Sequence, residues 1–468
     1  MAASVRVTEV ALYERPVRFR MPFRFGVARV EETAQAFVRL RLETAEGRSA
    51  IGWSAEMMMP KWFDKSPELT PEDNVGQLRA SLRLAAEATL AADAGTAFGR
   101  HAQIEPVQHA TAAAAGLNGL IASFGLALLD RAVIDALCRL EGLPVAEAVR
   151  ANRLGIDART APDLAGFDLD GFLAARPMPQ AIAARHTVGL GDVLDGPGTL
   201  ADGLPDTLDA VMARYGHRWF KLKLGGDPVA DVARLGQIAS VLDHGAGDYR
   251  ATLDGNEQYA GPEAVLDLLD RMAAEPGLAR LRSRVEFLEQ PIARAGALAT
   301  DMGRVAERIG LEIDESDAEI GSFPAALKLG YRGISSKSCK GFYRALLNAA
   351  RVEQARGEGI DAFISAEDLT TQAGIGLQQD LALAGLVGAG HVERNGHHYV
   401  DGMAGASDAE QAGFLAAHGD LYDDVDGRAR LRIAGGMIAL GSVGQSVGLG
   451  AAVAPDWAGM AGLKGWRA

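Results

Sequence analysis

The chain has 468 residues, of which 48% are apolar and 23% charged, a composition that supports a sizeable core and excludes wholesale disorder. This length exceeds one ordinary domain and suits a barrel with an attached domain, so we expect two domains. The formal charge of −14, with scattered basic residues, excludes a nucleic acid as the expected partner.

The two cysteines and the N-terminal segment bear on the cellular compartment. Cys138 and Cys339 are too few and too far apart for a disulfide framework, which favours a reducing compartment. The first residues lack the apolar core of a signal peptide, and no apolar run approaches the length of a membrane span. We therefore expect a cytoplasmic protein with no membrane partner.

The first 150 residues predict a small α+β domain. From Val5 to Trp53 apolar and polar residues mostly alternate, which indicates an antiparallel meander with a turn at Glu46 and Gly47. The following segment is rich in alanine and leucine, and in 128–144 four apolar residues fall on one helical face. Residues 151–180 are irregular and acidic, which is typical of a linker or a surface excursion.

A different pattern begins at residue 181. Short apolar strands alternate with helical stretches such as 227–242 and 261–275, the pattern of repeated βα units. Because eight strands close a barrel, we predict a (β/α)8 TIM-like barrel over 181–405. The glycine-rich segment 406–468 is expected to pack back on the first domain. The eight strands are predicted near 182–188, 217–224, 249–254, 285–289, 311–314, 333–337, 361–366 and 390–393.

Three carboxylates stand at the ends of successive predicted strands. Asp254, Glu289 and Asp314 end the apolar runs in ATLDGNE, VEFLEQP and LEIDESD. In a barrel the carboxyl ends of the strands meet at one face, so these side chains are expected to converge there. Oxygen ligands are those that a hard cation such as Mg²⁺ prefers, so the sequence predicts a magnesium site with positions open for substrate oxygens.

Lysines reach the same end of the barrel. Lys221 and Lys223 are two residues apart on a strand and therefore point to the same face, and Lys337 enters four strands later, roughly opposite. We expect repulsion between neighbouring ammonium groups to lower the pKa of an amine toward neutrality. A neutral lysine beside a metal ion is suited to abstract the proton α to a carboxylate, because the cation stabilises the enediolate.

The order K-x-K, D-x-N, E-Q-P, D-E-S and K-x-x-K resembles the enolase superfamily, in its mandelate racemase and muconate lactonizing branch. The resemblance extends over most of the chain, with a capping domain before an enolase-type barrel. It implies one Mg²⁺, with Mn²⁺ as a possible substitute, on Asp254, Glu289 and Asp314. It also implies acid/base roles for Lys223 and Lys337, with Lys221 as the supporting lysine.

The resemblance also suggests where a small carboxylate substrate would bind. Glu367 matches an acid that members often carry at the seventh strand, and Glu393 stands on the eighth. The family places the loops 21–26 and 54–63 over the barrel mouth, so Arg24 and Lys61 are expected to contact an anionic substrate group. Met57, Met58 and Met59 in the second loop are candidates for either core packing or a substrate-facing lid.

The chain departs from several family patterns. Sugar-acid dehydratases carry a histidine on the seventh strand backed by an aspartate on the sixth, where this chain has Glu367 and Lys337; the eighth strand lacks the Asp-x-Asp ending of dipeptide epimerases. A racemase or epimerase with two lysines is the favoured interpretation. A dehydratase or cycloisomerase is the alternative, and a non-catalytic binding module is the alternative of another class. We expect a homo-oligomer.

Several other polar motifs predict surface or loop positions rather than functional sites. Lys340 is expected to be a solvated surface charge. His391, His397 and His398 lack accompanying cysteines and have loose spacing, so a polar rim near the substrate or an ordinary loop is favoured over zinc. Gly189 and Gly191 form an incomplete dinucleotide motif and predict no nucleotide site.

Overall fold

The computed structural model describes residues 2–25, 28–176 and 178–466. It begins with three long antiparallel strands, β1 (Val5–Phe25), β2 (Ala28–Thr44) and β3 (Ser49–Met57). The turn between β2 and β3 places Gly47 at φ 82°, a left-handed conformation that glycine adopts without steric cost. The predicted meander and its turn are therefore present in the fold.

Three helices cover this sheet: α1 (Pro71–Ala91), α2 (Ala97–Ala114) and α3 (Gly119–Glu141). Thr70 caps α1 in a reciprocal box with Asp73, and Gly142 ends α3 in the left-handed conformation. Helix α3 is buried all round from Leu120 to Cys138, because β3, α1, α2 and the barrel surround it.

The connection to the barrel is more closely packed than the predicted linker. It contains the short helices α4 (Val145–Arg150) and α5 (Leu169–Ala174). Leu154, Leu164 and Leu173 have at most 1% of their surface exposed, so this segment contributes to the core rather than forming a surface excursion.

Eight parallel strands form the closed barrel, which confirms the predicted fold class. They follow one another in chain order around the sheet, and pairing between the last strand and the first closes it. Each strand lies within about three residues of its predicted position. The strands are β4 (Ala181–Val188), β5 (Trp219–Lys223), β6 (Arg250–Asp254), β7 (Val285–Glu289), β8 (Gly310–Ile313), β9 (Gly333–Ser336), β10 (Phe363–Ala366) and β11 (His391–Glu393).

Helices cover the outside of the barrel and follow it in the chain. Two of them match the helices predicted at 227–242 and 261–275. They are α6 (Leu208–Tyr215), α7 (Pro228–Gly245), α8 (Pro262–Ala274), α9 (Ala279–Arg282), α10 (Arg294–Ala297), α11 (Gly303–Ala306), α12 (Ser322–Leu327), α13 (Phe342–Gly357), α14 (Ile375–Val387), α15 (Gly396–Tyr399), α16 (Asp408–Ala417) and α17 (Gly441–Gln445).

The C-terminal segment adds four short strands and contacts both parts of the molecule. Strands β12 (Tyr422–Val425) and β13 (Arg428–Leu431) form a hairpin. Strand β14 (Met437–Ala439) pairs with barrel strand β4, and β15 (Ala461–Gly462) pairs with β1 of the first sheet. Among the residues that the structure describes, no helix combines the length and apolar character needed to cross a bilayer.

Candidate active site

The carboxyl ends of the barrel strands bring the predicted acids and lysines together. Lys221 and Lys223 lie on β5, Asp254 ends β6, Glu289 ends β7, and Asp314 follows β8. All five side chains are buried. Because parallel strands end at the same face of a barrel, residues far apart in the sequence share this space.

The ammonium group of Lys221 lies at the centre of four carboxylates. Its Nζ is 3.0 Å from Asp254, 2.7 Å from Glu289, 2.9 Å from Glu367 and 3.4 Å from Glu393. Burial lowers the pKa of Lys221, but these carboxylates outweigh it and raise the pKa well above its usual value. At Lys221 the carboxylates therefore outweigh the effect of burial.

Lys223 and Lys337 approach the acids from opposite sides of the barrel. Lys223 Nζ lies 2.5 Å from Asp254, and Lys337 Nζ lies 2.6 Å from both Asp314 and Glu367. Strands β5 and β9 are the second and sixth of the closed eight-strand sheet, which places the two amines across the central space. For Lys337, burial lowers the pKa, yet the two carboxylates raise it well above normal.

Glu367 connects the site to a deeper charged layer. It accepts hydrogen bonds from Lys221, Lys337 and Arg185, the last of which comes from the first barrel strand. Burial raises the pKa of Glu367, but these three cations lower it well below its usual value. Beneath it, burial and then the Glu367 charge raise the pKa of Glu312 to about 8.

Glu393 lies at the edge of the same network. It accepts hydrogen bonds from the Thr187 hydroxyl and the Asn395 amide, in addition to its contact with Lys221. Its carboxylate is thus held by three neighbours at the end of the eighth strand. The structure brings Glu367 and Glu393, both expected to bind substrate, into the site.

A small cavity opens above these groups. Its volume is about 30 Å³, and its lining combines the charged strand ends with apolar side chains of the first domain. Phe23, Met59 and Trp62 form that apolar part. The Trp62 ring lies 4.9 Å from Lys337 Nζ, a cation–π distance that couples the covering loop, residues 58–70 between β3 and α1, to the lysine.

The structure does not bring the two other expected substrate contacts to this cavity. The Lys61 ammonium donates to the carbonyls of Ser66 and Leu69 within its own loop. Arg24 is exposed beside Gly191, and Gly26 of the same loop lies outside the described residues.

Lys65 also joins the covering loop to the barrel. Its Nζ lies 2.6 Å from Glu257 and 3.3 Å from Glu315, and it donates to the Asn256 carbonyl. Burial lowers the pKa of Lys65, but Glu315 and Glu257 raise it overall. Sequence analysis missed this residue because nothing in its local sequence distinguishes it from a surface lysine.

The surface position expected for Lys340 is wrong. Only 2% of its side chain is exposed, and its Nζ lies 2.9 Å from Asp314 and donates to the Ser335 carbonyl. Burial raises the pKa of Asp314, but Lys337 and Lys340 outweigh it and lower the pKa well below normal. The turn after β9 explains the burial, since it carries both lysines of K-x-x-K back against the barrel.

The carboxylates suit a hard divalent cation. Glu289, Asp314 and Glu367 each offer one oxygen, and these oxygens lie within 4.8 Å of one another. Glu289 pairs with the Lys221 ammonium at 2.7 Å, yet burial followed by the Asp254 charge raises its pKa well above normal. A buried carboxylate whose charge is only partly compensated fits direct contact with a divalent cation. Glu367, which the sequence did not assign to metal, stands in this group of three where Asp254 was expected.

Comparisons with solved structures agree with the fold. A Bradyrhizobium enolase complexed with magnesium and mandelic acid is 18% identical, with 98% of each chain covered and a TM-score of 0.59. A dipeptide epimerase from Enterococcus faecalis, complexed with Mg and L-Leu-L-Tyr, is 16% identical, covering 95% of this chain and 99% of that one, with a TM-score of 0.60. A muconate lactonizing enzyme from Pseudomonas fluorescens with muconolactone is 15% identical, with 98% of each chain covered and a TM-score of 0.59.

At these identities the likeness concerns the fold. The chain therefore shares with these proteins the fold of a closed barrel beside a separate antiparallel-sheet domain. No protein-family model and no curated relative matches the sequence.

Proposed function

We propose that the protein is a Mg²⁺-dependent enzyme that removes the proton α to a substrate carboxylate. The observation that carries this proposal is the placement of Lys223 and Lys337 across the cavity, each within 2.6 Å of a strand-end carboxylate. Such a pair can present an amine to each face of a molecule bound between them. The solved structures of similar fold that contain magnesium support the choice of cation.

The chemistry follows from the weakness of the carbon acid. A proton next to a carboxylate leaves only if the negative charge that develops is stabilised. When bound, Mg²⁺ would supply positive charge to the substrate carboxylate, and Mn²⁺, which accepts the same oxygen ligands, is the proposed substitute. Asp254, Glu289 and Asp314 are the proposed ligands, and the Lys221 ammonium supplies a further fixed positive charge. The base must be a lysine that has lost its proton.

Within this reaction class we favour a racemase or epimerase. Exchange of configuration needs one acid/base group on each face of the α-carbon, which Lys223 and Lys337 provide from the second and sixth strands. In a dehydratase or cycloisomerase one lysine would remove the proton, and the other would remain a fixed positive charge. The reaction would end with the loss of a β-substituent in a dehydratase or with ring closure in a cycloisomerase. Glu367, held by three cations, occupies the place where a histidine would favour elimination.

Isotope exchange tests the proposal without requiring the substrate to be known. The protein is incubated with Mg²⁺ and a panel of α-substituted carboxylates in ²H₂O, and deuterium at the α-carbon is measured by mass spectrometry. We expect uptake with at least one compound and no uptake after chelation. Lack of Mg²⁺ binding together with lack of uptake across the panel would instead favour a non-catalytic binding module.

A further inference from the structure

Histidines gather on the outer side of the barrel wall. His186 stands on β4 between Arg185 and Thr187, whose side chains reach inward to Glu367 and Glu393. Because side chains alternate along a strand, His186 points to the opposite side, toward the surrounding helices. It therefore faces away from the carboxylates of the candidate active site.

Two more histidines meet it there. His217 precedes β5, and His397 belongs to the short helix α15 that follows β11. One ring nitrogen from each of His186, His217 and His397 lies within 4.8 Å of the other two. His186 and His217 are at most 2% exposed, whereas His397 is half-buried. Three separate segments of the chain thus converge on one point.

Each of these three rings has a buried nitrogen without a hydrogen-bond partner among the described residues. His217 Nδ1 donates to the Ala184 carbonyl at 3.1 Å, which leaves the lone pair on its Nε2. Within the described parts of the chain, neither that Nε2 nor His186 Nδ1 has a hydrogen-bond partner. His397 likewise offers an unpartnered nitrogen. Buried polar atoms are rarely left unsatisfied, so this concentration of them calls for a ligand.

The protonation state suits a metal rather than an anion. Burial lowers the pKa of His217 to about 4, and burial with repulsion from neighbouring histidines lowers the pKa of His186 and His397 well below the usual value. The imidazoles are therefore neutral near pH 7. Neutral imidazole is the ligand form of histidine, and donation from Nδ1 to a backbone carbonyl is the common way to orient such a ring.

We propose that His186, His217 and His397 bind one first-row transition metal ion, with Zn²⁺ as the best match. Three histidine nitrogens around one point form a known zinc ligand set, whereas Mg²⁺ prefers oxygen. In tetrahedral geometry with Zn–N bonds of about 2.0–2.1 Å the nitrogens stand roughly 3.3 Å apart, so modest rotation of the rings would complete the site.

The competing explanation is that the rings simply stack. His186 and His217 are 5.2 Å apart and nearly parallel, and Tyr215 packs edge-on against His397. Stacking accounts for the contacts between the faces of these rings. Stacking does not give the unpartnered ring nitrogens a ligand, whereas a metal ion would bind them.

The position of the site indicates a structural role. Helix α15 begins three residues after Glu393, which lies at the candidate active site, and Val400 next to it bridges to Phe19 of the first sheet. A metal bound to His397 would tie this turn to the first two barrel strands. The inference does not rest on the proposed function, since it uses none of the carboxylates or lysines.

Metal titration tests the inference directly. Chelator-treated protein in excess Mg²⁺ is titrated with Zn²⁺ by calorimetry and with Co²⁺ by visible absorption, which reports tetrahedral nitrogen coordination. We expect one ion per chain, and we expect His217→Gln and His397→Gln each to weaken binding about 100-fold or more. His244→Gln, an exposed histidine on α7, is the matched control and should bind as the wild type does.

Two further comparisons make the outcome decisive. Glu289→Gln should leave the Zn²⁺ isotherm unchanged, which separates this site from the carboxylate site. Circular dichroism checks that each variant is folded. If His217→Gln does not fold, the Zn²⁺ isotherm of the partly exposed His397→Gln tests the proposal. Absence of Zn²⁺ binding by the wild type, or equal isotherms for His397→Gln and His244→Gln, would overturn the proposal in favour of stacked rings.

Discussion

The Lys221 ammonium lies among Asp254, Glu289 and Glu367 at 2.7–3.0 Å, so a positive charge already lies where three acids converge. Buried carboxylates this close repel one another strongly unless a cation lies between them. Glu289 shows this repulsion, because burial and the Asp254 charge raise its pKa well above normal. Glu289 is therefore the carboxylate with most to gain from a bound divalent ion.

Removal of a single carboxylate charge should reveal the metal ligands. We expect Asp254→Asn, Glu289→Gln and Asp314→Asn each to weaken Mg²⁺ binding at least 10- to 100-fold, the range that even indirect changes at metal sites produce. Turnover should be lost, while the fold should persist because the barrel core is formed by other residues. Calorimetric titration with Mg²⁺ measures the effect, and wild-type affinity in all three variants would refute the ligand assignment.

Substitution of each lysine should affect proton exchange of a different enantiomer. If the enzyme is a racemase, Lys223→Ala should abolish α-proton exchange of one enantiomer and retain some exchange of the other, and Lys337→Ala should do the reverse. Loss of a general base reduces the rate by about 10²–10⁴-fold. Exchange of each enantiomer in ²H₂O is followed by NMR.

The contrasting outcomes identify the other mechanisms. In a dehydratase or cycloisomerase one lysine would be indispensable, and arginine in place of the other would preserve partial activity because the positive charge is kept. Lys337→Ala with full activity would contradict both mechanisms and leave Lys337 a structural residue.

At the scale of elements, the strand ends were predictable and their surroundings were not. An apolar run that stops at an acid marks both a strand and the place where its last side chain lies, so the sequence located Asp254, Glu289 and Asp314 correctly on the barrel. Lys340 was misplaced because its burial depends on the turn after β9, and His186 and His217 gave no signal because their partner His397 is remote in sequence. Local patterns do not encode such long-range convergence.

The covering loop offers a prediction at the same scale. Lys65 attaches the segment after β3 to Glu257 and Glu315 of the barrel, so Lys65→Ala should loosen the loop that carries Met59 and Trp62 over the cavity. We expect KM to rise about 3- to 10-fold, equivalent to about 0.7–1.4 kcal/mol.

Steady-state kinetics with the substrate found by exchange provides the measurement. Lys464→Ala is the control, since Lys464 is a largely exposed lysine that pairs with Glu72, and neither residue lines the cavity. An unchanged KM in Lys65→Ala would show that this ion pair does not hold the loop over the substrate.

At the scale of the whole molecule, the C-terminal segment contacts both sheets. Strand β14 extends the barrel beside β4, and β15 extends the first sheet beside β1, so one segment joins the two parts. Between these strands, the Leu449 amide donates to Asp135 of α3. The sequence predicted that this segment returns to the first domain; its pairing with the barrel required knowledge of the strand order, which no local pattern contains.

Asp135 is the residue on which this arrangement depends most clearly. Its fully buried carboxylate accepts hydrogen bonds from the backbone of Trp53 and Leu449 and from the Arg139 guanidinium, and thereby joins β3, α3 and the C-terminal segment. Asp135→Ala would leave two buried amides and a partly buried cation without an acceptor, so we expect a loss of about 3 kcal/mol in the free energy of unfolding. Urea denaturation measures that loss, with the exposed Asp248→Ala as the control.

Hydrogen exchange then shows how far the effect spreads. If the two sheets unfold as one cooperative unit, Asp135→Ala should speed amide exchange in the strands of the barrel as well as in β1, β2 and β3, because both lose the same stabilisation. If exchange accelerates only in the first sheet and α3, the barrel retains its own stability and the C-terminal segment does not couple the two parts. An unchanged unfolding midpoint in Asp135→Ala would contradict the bridging role itself, since the contacts of that single carboxylate are the physical basis of the prediction.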